Sequence, residues 1–148
     1  GSWFESGPRG VDAASLDAST EHLETAIGVL LDRGGFEAAE LVVGGFSQGA
    51  AMALVLAARG VVRGGRLLVC SGWIPEGPDV DPDLSGGGLE AALVQLARDD
   101  DVVPAELTRW SADTLGSTGC AVDLREYPGG HGLSARMCSD AGAWLTAP

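Results

Sequence analysis

Residues 45–49 have the residue types of a turn that exposes a nucleophilic serine. They read Gly-Phe-Ser-Gln-Gly, that is Gly-x-Ser-x-Gly, with an apolar run at 41–43 before them and a helix-favouring run at 50–59 after them. A tight turn between a strand and a helix holds such a serine in a strained backbone conformation with its hydroxyl exposed. Glycines on both sides are expected to let the strand and the helix approach closely. The pattern predicts that Ser47 is a nucleophile.

A serine hydroxyl needs a general base, and the chain offers two histidines. His22 lies in a helical pattern beside glutamates, which is typical of a solvent-exposed helix residue. His131 lies in a glycine-rich segment, Pro128–Gly132, directly after the strand-like run at 121–127. A histidine in such a loop has little core to pack against, so His131 is the predicted base.

The base in turn needs a carboxylate that fixes its orientation. Three consecutive aspartates, Asp99, Asp100 and Asp101, lie between Ser47 and His131 and follow an apolar strand-like run. The order Ser, Asp, His along the chain fits a hydrolytic triad. Spacing alone does not decide which aspartate faces the histidine, and a solvated acidic loop is the alternative.

Taken together, these motifs resemble the phospholipase/carboxylesterase family of α/β-hydrolases, which includes the acyl-protein thioesterases. The similar segments, in chain order, are Trp3-Phe4, Gly44–Ala50, Ser71–Pro75, Asp100–Pro104 and Tyr127–Gly132. The resemblance implies a partial α/β-hydrolase fold and hydrolysis of carboxylic esters or thioesters of acyl substrates through an acyl-enzyme, with no cofactor and no metal.

The resemblance also assigns roles to individual residues. It implies a catalytic triad of Ser47, Asp100 and His131, with the backbone N–H of Gln48 donating to the oxyanion. It makes Trp73 and Ile74 candidates for the wall that binds the acyl chain; for Ile74, core packing is an equal alternative.

The chain departs from the family in two respects. Leu96-Ala97 replaces the usual His-Gly at the end of the strand before the acid. The similar segments also cover only the later part of the family's fold, so residues 1–148 are expected to form one N-terminally truncated domain that lacks the loop carrying a second oxyanion donor.

The truncation has two expected consequences. The strand near 41–46 would be an uncharged sheet edge, which predicts self-association into a homo-oligomer. The missing oxyanion donor predicts weak esterase activity. A non-catalytic folded or oligomerising module is the alternative function.

Alternating apolar runs and helical patterns predict an α/β fold with a parallel sheet of about four strands flanked by helices. The strands are expected near 41–46, 66–71, 91–97 and 121–127, and the helices near 15–33, 48–59, 104–116 and 134–146. The segment 85–88, Ser-Gly-Gly-Gly, lacks the Lys-Ser/Thr of a phosphate-binding loop and is interpreted as a hinge.

The charge of the chain makes some classes of binding partner unfavourable. The net charge is −12 and the chain contains no lysine, so nucleic acid and anionic membranes are unfavourable partners. No apolar run approaches the ~20 residues of a membrane span, and Cys70, Cys120 and Cys138 show no pairing pattern. These features lead us to expect a cytoplasmic location.

The acidic segment after Pro75 raises one other possibility. Asp79, Asp81, Asp83 and Glu90 fall at positions 1, 3, 5 and 12 of a calcium-binding loop. Position 6, which should be glycine, is Leu84. A solvated acidic loop near the substrate entrance is the favoured interpretation, and a calcium-responsive domain is a weaker alternative.

Overall fold

The chain forms a four-stranded parallel sheet with helices against both of its faces. A computed structural model describes residues 1–7 and 10–147 of the 148. The strands are β1 (Ser6–Gly7), β2 (Gly10–Val11), β3 (Val42–Phe46), β4 (Arg66–Cys70), β5 (Ala91–Ala97) and β6 (Ala121–Tyr127). The first two form a small antiparallel pair, and the other four form the parallel sheet in the order β3-β4-β5-β6. The predicted parallel sheet of about four strands is confirmed.

Four α-helices connect and cover these strands. They are α1 (Ala13–Gly34), α2 (Gln48–Ala58), α3 (Ala105–Ser117) and α4 (Ala135–Thr146). Helix α1 begins two residues earlier than the apolar periodicity predicts, because Asp12 caps it by accepting a hydrogen bond from Ser15 N. Its end is set by Gly35, which adopts a left-handed conformation (φ 68°) that costs glycine little.

The two faces of the sheet bury different helices. Side chains alternate along a strand, so Leu67 and Val69 of β4 share one face, where they pack with α2 and α3. Helix α2 is buried along the whole run 50–57, which explains why this run is apolar on all sides. Helix α4 lies on the other face, against Gln95 of β5.

Strand β3 forms one edge of the sheet, as the sequence predicts. It pairs only with β4 among the described residues, and Val42–Phe46 contains no charge and no proline. Its second row of backbone groups is thus available for pairing with another strand.

The segment predicted to be a hinge differs from the expectation. Residues Leu84–Gly86 form a short 3-10 helix with Leu84 buried in the main core, and this burial argues against a hinge at 85–88.

Two of the three cysteines lie in the interior. Cys70 and Cys120 are buried free thiols, and burial raises the pKa of Cys70 to about 11. Within residues 1–7 and 10–147, none of the helices has the length and apolar character needed to cross a bilayer.

Candidate active site

Ser47 occupies the tight turn between β3 and α2. Its backbone has φ 55° and ψ −124°, a strained conformation for a residue with a side chain. Its N–H donates to Cys70 O at 3.0 Å, which ties the turn to the end of β4. The neighbouring Phe46 is the last residue of β3, so the turn starts directly at the carboxyl end of the sheet.

The two glycines of the motif are not equally constrained. A Cβ on Gly45 would lie 2.3 Å from the carbonyl carbon of Gly49, inside the backbone of α2. A Cβ on Gly49 would meet only Trp3 Nε1, at 3.9 Å. The close approach of strand and helix therefore requires glycine at position 45 alone, which corrects the expectation that both positions must be small.

This asymmetry gives a matched pair of substitutions. Gly45→Ala is expected to displace α2 and reduce ester hydrolysis at least ~100-fold, because a shift of about 1 Å at a reacting group can cost that much. Gly49→Ala is expected to keep activity within a few-fold, and alanine suits the first turn of a helix better than glycine does. Steady-state kinetics and thermal unfolding of both variants check the pair; equal damage from both would contradict it.

His131 joins Ser47 to Asp100. Its Nε2 lies 3.0 Å from Ser47 Oγ, and its Nδ1 lies 2.8 Å from Asp100 Oδ2. Because an ionised carboxylate only accepts hydrogen bonds, the proton belongs on Nδ1, and the lone pair on Nε2 can accept the serine hydroxyl. The ring also packs on Phe46, with 4.6 Å between the ring centroids. The three sequence-predicted residues thus lie in one hydrogen-bonded line.

Asp100 is the aspartate that contacts the histidine. Its side chain is 1% exposed, and its Oδ1 accepts hydrogen bonds from Val103 N at 2.8 Å and Val102 N at 3.0 Å. Burial opposes ionisation of this carboxyl, but the bonds from Val103, His131 and Val102 outweigh it and lower the pKa of Asp100. Asp99 instead accepts a bond from Gly129 N at 3.3 Å, and Asp101 is exposed. The replacement of His-Gly by Leu96-Ala97 does not keep Asp100 from reaching the base.

A second serine at the carboxyl end of the parallel strands provides a comparison. Ser71 follows β4 as Ser47 follows β3, and it also has a positive φ of 46°. Its hydroxyl is buried, but no hydrogen-bond partner for it exists among the described residues. A serine without a base is a poor nucleophile, so the arrangement distinguishes Ser47 from Ser71.

Gln48 contributes both its backbone and its side chain. As the first residue of α2 it has a backbone N–H that the helix does not use, which makes it a candidate oxyanion donor. The side-chain Oε1 accepts from Trp3 N at 2.9 Å, and Nε2 donates to Phe4 O at 3.0 Å. Sequence reasoning missed this second role, by which Gln48 fixes the Trp3-Phe4 segment beside the serine turn.

The two candidates for the acyl-binding wall have different environments. Trp73 is half-buried and packs edge-on against Phe4, with 6.2 Å between ring centroids. Ile74 is buried in the main core, and its N–H donates to Ser111 Oγ at 2.9 Å. The structure therefore favours the core-packing alternative for Ile74 and leaves Trp73 as the candidate.

Two exposed apolar side chains on the loops that carry Asp100 and His131 were not singled out from the sequence. Val102 is 63% exposed on the loop that carries Asp100, and Leu133 is 51% exposed two residues after His131. Large apolar side chains that remain exposed near a reactive group are candidate contacts for an apolar ligand. The signal was present in the sequence only as apolar residues next to the motifs.

Among the described residues, the other charged candidates make no hydrogen bond to the side chains of Ser47, Asp100 or His131. His22 is exposed on α1. Asp79, Asp81, Asp83 and Glu90 are also exposed, and nowhere in the described ranges do three acidic, cysteine or histidine side chains converge as metal ligands would. The calcium-loop alternative therefore has no support in the structure.

A parallel sheet with a strained serine turn after one strand, and helices on both faces, defines the fold as that of an α/β-hydrolase. Residues 2–147 match the phospholipase/carboxylesterase family, and the chain belongs to that family. The resemblance inferred from the motifs is confirmed.

Individual relatives agree with this assignment. Acyl-protein thioesterase 1 of Gibberella zeae is 26% identical over 141 residues, which are 93% of this chain and 60% of the fungal protein. The crystal structure of Zea mays acyl-protein thioesterase 2 superimposes with a TM-score of 0.72 at 26% identity, covering 98% of this chain and 71% of the maize chain. Arabidopsis thaliana SOBER1 shares the fold with a TM-score of 0.79 at 22% identity, covering 97% and 72% of the two chains. The chain thus spans about three fifths of the length of its curated fungal relative.

Proposed function

We propose that this chain is a serine hydrolase that cleaves carboxylic ester or thioester bonds of acyl substrates through an acyl-enzyme. The observation that carries the proposal is the unbroken hydrogen-bond line from Asp100 through His131 to Ser47, which ends at a serine in a strained turn. Membership of an esterase and thioesterase family supports the class of reaction.

The proposed mechanism uses each group in one role. Ser47 Oγ attacks the acyl carbonyl carbon while His131 Nε2 takes the hydroxyl proton, and the backbone N–H of Gln48 donates to the oxyanion. His131 then gives the proton to the departing alcohol or thiol, which leaves Ser47 acylated. In the second half, His131 takes a proton from a water molecule, whose oxygen attacks the carbonyl carbon of the acylated serine to form a tetrahedral intermediate. When this intermediate collapses, His131 returns the proton to Ser47 Oγ and the carboxylic acid is released. Asp100 stays ionised and stabilises the imidazolium in both halves.

The surroundings of Ser47 suit an apolar acyl chain. Trp73, Val102 and Leu133 offer apolar surface that is half-buried or exposed on the segments around the proposed triad. The chemistry requires no cofactor or metal. The net charge of −12 disfavours nucleic acid and anionic membranes as partners, and we retain a cytoplasmic location as part of the proposal.

Burst kinetics test the acyl-enzyme. With a short-chain p-nitrophenyl ester, the chain is expected to release close to one equivalent of p-nitrophenol in a fast phase, followed by slower steady turnover. The matched control is His131→Ala, which keeps Ser47 but should lose the burst. Turnover of a thioester with the same acyl group then shows whether an alcohol or a thiol is the preferred leaving group. A linear time course that is the same with and without His131 would contradict the proposal.

A second candidate function is supported by the free edge of β3. In this alternative, residues 1–148 form one domain that acts as a self-associating module, in which β3 pairs with β3 of another copy. Such a homo-oligomer is compatible with hydrolysis and is also the main non-enzymatic alternative.

We expect the chain to sediment as a concentration-dependent oligomer, and Val42→Lys to shift it towards the monomer. A lysine on an edge strand repels a second copy and blunts strand pairing. Sedimentation velocity at several concentrations checks this expectation, with Val29→Lys on the exposed surface of α1 as the control for added charge. A wild-type monomer at all concentrations would contradict association through β3.

A further inference from the structure

Strand β5 contains one polar side chain in an otherwise apolar sequence. Gln95 lies within Ala-Ala-Leu-Val-Gln-Leu-Ala and is fully buried. A buried amide that lacks hydrogen bonds is strongly unfavourable, so a glutamine in the middle of a parallel sheet needs several well-placed partners. The sequence contained this signal, but none of the expected functions used it.

The Gln95 side chain has three such partners. Its Nε2 donates to Tyr127 OH and to Met137 O, both at 3.0 Å, and its Oε1 accepts from Cys70 Sγ at 3.3 Å. Because the carbonyl of Met137 can only accept, the amide nitrogen must face it, which fixes the orientation of the amide. Tyr127 OH in turn donates to Asp140 Oδ2 at 2.9 Å.

These partners lie at the two ends of the segment that carries His131. Tyr127 is the last residue of β6, directly before this segment, and Met137 lies in the first turn of α4, directly after it. Asp140 lies one turn further along α4. One buried amide, extended by the tyrosine hydroxyl, therefore holds both ends of the segment 128–134, which we call the histidine loop.

The histidine loop itself has few constraints of its own. It contains Gly129, Gly130 and Gly132, and glycines leave the backbone more conformational freedom than other residues do. His131 must nevertheless keep 3.0 Å to Ser47 Oγ and 2.8 Å to Asp100 Oδ2 at the same time. Besides Gln95, the start of the loop is held by backbone bonds from Arg98 N to Tyr127 O and from Asp99 N to Gly129 O, and by the bond from Gly129 N to Asp99 Oδ2. At its other end, among the described residues, Ser134 bonds only to the first turns of α4, by accepting from Met137 N and Cys138 N.

We propose that Gln95 is a positioning residue for catalysis, which sets the place of His131 by joining the end of β6 to the start of α4. The inference rests on the proposed hydrolase function. Gln95 touches neither Ser47 nor His131 by a hydrogen bond, and it acts through the two ends of the histidine loop. Losing it lets the loop and the first turn of α4 shift, so that His131 no longer meets Ser47 and Asp100 together.

The test compares Gln95→Met, which keeps the size and apolar fit but loses the donors, with two controls. Cys70→Ala removes the one partner that is not at the loop ends, and Val94→Ala weakens the core on the opposite face of β5. Gln95→Met is expected to lower kcat for a p-nitrophenyl ester ~100-fold with KM within about three-fold, since a misplaced catalytic group costs rate rather than binding. Both controls should stay within about five-fold of wild type when folded. Tyr127→Phe should give a smaller loss that does not add to that of Gln95→Met.

Hydrogen exchange separates this inference from the hydrolase proposal. Amides of the histidine loop and of the first turn of α4 should exchange faster in Gln95→Met and not in Val94→Ala, whether or not the chain hydrolyses esters. Unchanged exchange there, or unchanged kcat in a folded and active Gln95→Met, would overturn the role of Gln95. Absence of Ser47-dependent turnover in the wild type would overturn the hydrolase proposal and leave the exchange result to decide on Gln95.

Discussion

Ser47→Ala is expected to lower ester turnover by about 10⁴-fold or more, the largest effect of any single substitution in this chain. In the proposed mechanism this hydroxyl is the group that becomes acylated, and removing one member of a triad disables the other two as well. The fold should survive, because alanine keeps a Cβ in the same strained turn and, among the described residues, the hydroxyl hydrogen-bonds only to His131. Steady-state hydrolysis of a p-nitrophenyl ester measures the effect.

Ser71→Ala is the matched control for this experiment. Ser71 also follows the carboxyl end of a parallel strand and also has a positive φ. Its hydroxyl, however, has no base as a hydrogen-bond partner among the described residues. Turnover should remain within a few-fold of wild type, and stability should be equal or higher because an unpaired buried hydroxyl is lost. If Ser71→Ala proved as damaging as Ser47→Ala, the assignment of the nucleophile would fail.

The second large effect is expected at Asp100. Asp100→Asn should lower turnover by roughly 10⁴-fold, because an amide in this place can stabilise the wrong imidazole tautomer and cannot stabilise an imidazolium. Val102 N and Val103 N can still donate to the amide oxygen, so the loop keeps its shape. Kinetics of the folded variant, measured beside its circular dichroism spectrum, isolate the chemical loss from any structural one.

The neighbouring aspartates make this prediction specific. Asp101→Asn changes an exposed side chain and should have little effect. Asp99→Asn keeps an oxygen that can accept from Gly129 N, so only a small loss is expected. Greater damage from either of these than from Asp100→Asn would show that the orienting carboxylate has been misassigned by one residue.

Local sequence patterns were sufficient to predict most of the fold and most of the arrangement of the candidate site. The apolar runs located the four strands of the parallel sheet to within one or two residues, because a strand buried on both faces needs a nearly continuous apolar sequence. The turn at Ser47 and the glycine-rich segment around His131 could be found because strained or tight backbone conformations restrict residue type. The choice of Asp100 came from resemblance, since three adjacent aspartates have the same local chemistry.

What the sequence could not give depends on contacts between distant segments. Position 49 allows a Cβ because it would meet only Trp3 Nε1, at 3.9 Å, whereas a Cβ at position 45 would meet the backbone of α2; both positions are glycine in the motif. Ile74 could belong to a binding wall or to the core until its neighbours were known. The role proposed for Gln95 depends on its bonds to Tyr127 and Met137, which lie more than 30 residues away along the chain.

Labelling by a fluorophosphonate, followed by peptide mass spectrometry, tests the central claim most directly. This reagent reacts with a serine only when a base has activated its hydroxyl. The account predicts one adduct per chain, located on Ser47, formed at a rate that falls sharply in His131→Ala and Asp100→Asn and stays unchanged in Ser71→Ala. An adduct on another residue, or equal labelling of wild type and Ser47→Ala, would contradict it.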